Sequence, residues 1–132
     1  MSQPVGAESF SLGAVSHLLR ALLYLRSALT PFQADLQALA CTAEEDVRPS
    51  LLMLWRPCQE RIDQLLDVAP PGAPWAVQVR LLGQEMADNL IDETHNLTAL
   101  LELTQALEEA AEVGLLEVER ALQAAVRELE FG

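Results

Sequence analysis

The sequence predicts an all-α protein, an up-and-down bundle of three or four long helices that pairs into a dimer. Three observations carry that expectation. The chain is 51% hydrophobic but only 5% aromatic, and its apolar content is mostly Leu and Ala, strong helix formers; Ile62 and Ile91 are its only isoleucines, which disfavours sheet. Apolar positions recur at steps of three and four over long stretches, the period of a helix with one buried face. Residues that cannot continue a helix cluster in one stretch, Asp67 to Pro74, which divides the chain into helical halves at 10–66 and 75–130. At 132 residues this is the size of one domain, 10–132, preceded by a loose tail over 1–9.

The first half carries a seven-residue repeat through Val15, Leu18, Leu22, Leu25, Leu29, Phe32, Leu36 and Leu39, an a/d seam. The repeat keeps phase across Pro31. Thr30-Pro31-Phe32-Gln33 also fits a capping box, so either one kinked helix or two nearly collinear ones occupy 11–40. Leu19 and Leu23 add a second apolar ridge beside the seam, which would leave a lone short bundle partly wet and is the basis for expecting a dimer. Thr42-Ala43-Glu44-Glu45 is a second capping box. It opens a region whose apolar face reads Leu51, Trp55, Cys58, Ile62, Leu65 and Ala69, interrupted by Pro49 and Pro57.

Pro74 suits the first position of the next helix. From there Val79, Leu82, Met86, Leu90, Leu97, Leu101, Thr104, Ala111, Leu115, Val118, Leu122 and Leu129 keep helical phase. Unbroken, that helix would be ~80 Å long at ~1.5 Å per residue, too long for its neighbours to cover. A break is expected, first at Gly114 and next at Thr94 to Asn96, because Gly and Asn end helices readily.

Charge narrows the function. Twenty acidic residues against eight basic ones give −12, which repels nucleic-acid backbones and anionic membranes and leaves the chain itself, or another protein, as the expected partner. All eight basic residues are Arg, so Schiff-base, P-loop and general-base lysines are excluded. Residues 1–9 lack the basic start and apolar run of a signal peptide. The most apolar stretch, Leu18 to Leu29, carries Arg20 and Arg26 and is too short to span a bilayer. A cytoplasmic location follows as the expectation, with Asn96-Leu97-Thr98 not a glycosylation site there.

Few residues suggest chemistry. Cys41 and Cys58 would stand roughly 18 Å apart in a helical hairpin, whereas a disulfide needs α-carbons under about 7 Å; Cys58 reads as a small buried hydrophobe. Glu85, Asp88, Asp92 and His95 form one helical stripe, but a lone Asp-x-x-His without carboxylates from other helices is not a di-metal motif. No metal, cofactor or catalytic residue is therefore expected. Glu93 falls between Leu90, Leu97 and Leu100, where a carboxylate is costly unless paired; Arg20, Arg61 and His17 are the candidate partners.

Ser16-His17-Leu18-Leu19-Arg20 resembles, over these few residues, the phosphoacceptor box of sensor histidine kinases. Leu18 stands where that box has an acidic residue, and Ala21-Leu22 where it has Thr-Pro. The resemblance implies histidine phosphotransfer at His17, and the alternative kept is a histidine phosphotransfer-like or metal-binding four-helix bundle centred on His17 or His95. The expectation carried forward is a non-catalytic interaction or oligomerisation module, with Glu93, His17, Leu19 and Leu23 as its candidate interaction or buried-polar positions.

Overall fold

The computed structural model describes residues 12–40, 48–91 and 97–131. They form four helices: α1 (Leu12–Ala40), α2 (Arg48–Val68), α3 (Pro74–Ile91) and α4 (Leu97–Phe131). There is no strand among the described residues. Each helix packs on two neighbours in the cyclic order α1, α2, α3, α4, while the diagonal pairs keep their Cα atoms more than 8 Å apart. Phe32 meets Trp55, Ala28 meets Cys58 and Tyr24 meets Arg61, so α1 descends as α2 ascends. Leu22 lies by Gly114 and Arg26 by Glu112, making α1 and α4 antiparallel too. With Ile62 against Gly83 in α2 and α3, the bundle runs up, down, up, down.

The first two helices follow their sequence pattern. Val15, Leu18, Leu22, Leu25, Leu29, Phe32 and Leu36 are buried, with Leu39 packed at the edge. Leu51, Trp55, Cys58, Ile62, Leu65 and Ala69 are buried opposite them. α1 is one helix of 29 residues with Pro31 inside. Thr30 does not cap a new helix; its hydroxyl donates back to the Arg26 carbonyl at 3.1 Å. Proline removes one backbone N–H, which frees the carbonyl four residues earlier. For Pro31 that carbonyl belongs to exposed Ser27, and for Pro57 to Met53, 76% exposed, so in both cases water can take the bond. Pro49 sits in the first turn of α2, where no N–H is required. The capping box at Thr42 to Glu45 lies outside the described residues.

α2 continues through Val68, two residues into the stretch assigned to the loop. Ala73 N–H donates to the Pro70 carbonyl, closing a turn around Pro71 and Gly72, and the Ala73 carbonyl then accepts from Ala76 and Val77. Pro74 is the first residue of α3, as its fixed φ favours.

The second half requires two corrections. Gly114 does not break the chain: α4 runs 35 residues through it, and the reversal falls between Ile91 and Leu97 instead. Gly114 is buried because Trp75 of α3 and Leu22 of α1 close onto it. The expected core series holds in α4 at Thr104, Ala111 and Val118 but is corrected at other positions. Leu100, Thr104, Leu107, Ala111, Gly114 and Val118 face inward, Leu97 and Leu101 are only half-buried, and Leu129 is 71% exposed. Thr104 is tolerated in the core because its hydroxyl donates to the Leu100 carbonyl at 2.8 Å.

Candidate interaction surface

The second ridge of α1 does not stand alone. Leu19 and Leu23 sit one residue past the seam positions Leu18 and Leu22, which turns them towards α4 and away from the bundle axis. There they meet Leu115 and Leu116, one and two residues past the core position Gly114. These four leucines, with Arg26, Glu112 and Glu119, line an open hollow of about 350 Å³ along the α1–α4 seam. Leu19 and Leu115 are half-buried against the core, while Leu23 and Leu116 remain 45% and 52% exposed. At the edge of the hollow, Arg26 and Glu112 approach to 3.9 Å with about half or more of each side chain in water, at 50% and 61%. An exposed pair of this kind contributes little to stability.

Other candidate residues fall elsewhere. His17 is exposed on α1 and faces no core position. Glu85 and Asp88 are exposed on α3. Glu93, Asp92, His95 and Cys41 lie outside the described residues, so neither the buried-charge expectation at Glu93 nor the complete stripe ending at His95 is tested. Among the described residues no three His, Cys, Asp or Glu side chains converge as a metal site. Arg61 places its guanidinium 4.9 Å from the Tyr24 ring centroid and donates to Gln64, both on the α1–α2 side of the bundle.

Cys58 is a core residue. Its thiol donates to the Ala28 carbonyl at 3.4 Å, and burial pushes its pKa up from the ordinary 9.0 to about 12. A thiol held protonated is a poor nucleophile. Trp55, stacked obliquely on Phe32 at 5.2 Å, satisfies its indole N–H with Gln59, which in turn donates to Asp63.

Two features were missed from the sequence. Leu115 and Leu116 complete the strip that Leu19 and Leu23 begin. Glu108, on the same α1-facing side of α4, has a buried carboxylate oxygen with no hydrogen-bond partner. Further hollows include an apolar one of about 130 Å³ beneath Val15, Leu18, Trp75 and Val118 at one end of the bundle, and a polar cleft of about 330 Å³ between α2 and α3. Neither gathers a nucleophile with a base. No described helix is long and apolar enough to cross a membrane. Set against known proteins, the chain matches no family model, no curated protein and no solved structure.

Proposed function

We propose that this chain is a non-catalytic interaction module that associates with itself. The observation that supports it is the leucine strip of Leu19, Leu23, Leu115 and Leu116, which the bundle half-covers and leaves open along one seam. Full burial of a leucine stabilises by ~1.5–3 kcal/mol, so completing Leu23 and Leu116 adds ~1 kcal/mol each. Two copies together gain ~4 kcal/mol from these four side chains, which alone corresponds to a millimolar Kd. A micromolar association therefore requires the half-buried Leu19 and Leu115 of both copies to supply most of the rest, since the exposed Arg26–Glu112 pair adds little. The net charge of −12 also favours a protein surface over a phosphate backbone as partner.

Light scattering or sedimentation at micromolar concentration tests this. The expected result is a dimer mass for the native chain and a monomer mass for Leu23→Glu/Leu116→Glu, with unchanged helical content because both sites are exposed. A native chain that stays monomeric up to about 100 μM overturns it.

A further inference from the structure

We propose that the two copies pair about a two-fold axis parallel to the helices and running along the α1–α4 seam, so that α1 of each copy lies across α4 of the other. The proposal rests on self-association and goes beyond it by fixing which helix meets which.

The distribution of charge carries it. Between Leu12 and Ala34 the only charged side chains of α1 besides the histidine are Arg20 and Arg26. Between Leu97 and Glu119 α4 carries Glu102, Glu108, Glu109, Glu112, Glu117 and Glu119 and no Lys or Arg. Of these, Arg26 on the α1 side and Glu112 and Glu119 on the α4 side line the leucine strip itself, so the strip is cationic along α1 and anionic along α4. A two-fold axis across the helices would stack α4 on α4 and set acid against acid. An axis along the helices sets the α1 side of each copy against the α4 side of the other, and the surface becomes complementary to itself.

Register agrees. The Arg26–Glu112 pair and the Leu22–Gly114 contact set the relative height of α1 and α4. Leu23 lies three residues from Arg26 and Leu116 four from Glu112, in the same direction along the bundle because the helices are antiparallel. At ~1.5 Å per residue they stand within ~2 Å of one level by the first contact and ~5 Å by the second, so this axis brings Leu23 of each copy to the neighbourhood of Leu116 of the other. It also brings Arg26 and Glu112 of both copies together at the seam as an alternating ring of four charges. The guanidinium, half exposed and using one long contact, has donors to spare for a second carboxylate. In size, α1 and α4 together present a face of ~40 Å by ~20 Å, or ~800 Å², which is what one partner contributes to a standard stable interface.

The charge ring makes the mode testable with Arg26→Glu and Glu112→Arg, each monitored by sedimentation with circular dichroism as the check on folding. Arg26→Glu alone makes the ring all-acidic and Glu112→Arg alone makes it all-basic, so each should weaken self-association by about ten-fold or more. Mixed in equal amounts they should recover a one-to-one heterodimer, and the double variant Arg26→Glu/Glu112→Arg should recover the homodimer, both within about three-fold of the native affinity. Single variants that dimerise like the native chain, or a mixture that fails to recover, overturn this pairing. A native chain that is itself monomeric defeats self-association as a whole. A native dimer broken by Leu23→Glu/Leu116→Glu but indifferent to both charge variants defeats the pairing mode alone.

Discussion

A methyl group at position 114 would lie 2.8 Å and 2.9 Å from two ring carbons of Trp75 and 3.1 Å from a methyl of Leu22. Both neighbours are buried, so neither can swing into solvent. Gly114→Ala gains up to about 1 kcal/mol in helix propensity but must displace an indole, and the overpacking cost of about 1–3 kcal/mol should win. Urea unfolding of this variant should show lower stability, whereas Gly72→Ala, where nothing lies within 4 Å, should be close to neutral. Sequence shows only that glycine is a poor helix former; it does not show the ring from another helix that uses the space, which is why a break was expected there. Cys58 was legible, because its place on the apolar face of α2 already implied burial. Its thiol is protonated in the folded state until about pH 12, while an unfolded thiol ionises near 9.0. Between those values the unfolded state binds fewer protons, so stability falls as pH rises through that window. Thermal melts from pH 8 to pH 11 should decline more steeply for the native chain than for Cys58→Ala, and a disulfide reagent at pH 8 should label Cys58 only after denaturant is added.

At the scale of whole helices, what could be read depended on whether the chain reversed within the stretch being phased. α1 and α2 each keep one phase, and their seams were legible residue by residue. The series from Val79 onward keeps one phase across the gap between Ile91 and Leu97, which places the half-buried Leu97 and Leu101 inward and omits Leu107. The proline interruptions give a cleaner case. Pro57 lies on the exposed side of α2, and its i−4 carbonyl belongs to Met53, also exposed. Pro57→Ala restores that hydrogen bond without touching the core and should raise stability by about 1–2 kcal/mol, the loss of proline's restraint on the unfolded chain being smaller. A chemical denaturation midpoint that drops would mean the proline itself is required at that position. α4 ends in a different condition. Among the described side chains beyond Glu119, only Leu122 and Ala125 are partly covered, and residues 126–130 are exposed. Leu129→Gln, at a side chain 71% exposed, should therefore change stability by less than about 0.5 kcal/mol in a denaturant titration.

For the molecule as a whole, four helices share one hydrophobic cluster that draws on all of them, and the bundle class was legible because composition and period agreed. Leu19 and Leu23 were legible as a ridge beside a complete seam, and they lie in the half-open leucine strip. The α4 side of the strip was not, because Leu115 reads as a core position and the break before it stays open between Gly114 and Thr94 to Asn96 on sequence grounds. Self-association should strengthen as salt rises from about 50 to 500 mM, since each copy carries a net charge of −12 and screening relieves their mutual repulsion more than it weakens the exposed Arg26–Glu112 pairs. The two tryptophans have a consequence of their own. Trp55 is enclosed between α1 and α2 against Phe32, and Trp75 is enclosed at the other end of the bundle, where α1, α3 and α4 meet. The chain thus carries one fluorophore in each helical half, both shielded from water at 4% exposure. Single Trp→Phe variants would report each half by its own emission, and a shared core requires the two red shifts to coincide along a denaturant titration; separated midpoints would divide the bundle into a first hairpin and a second, each melting on its own.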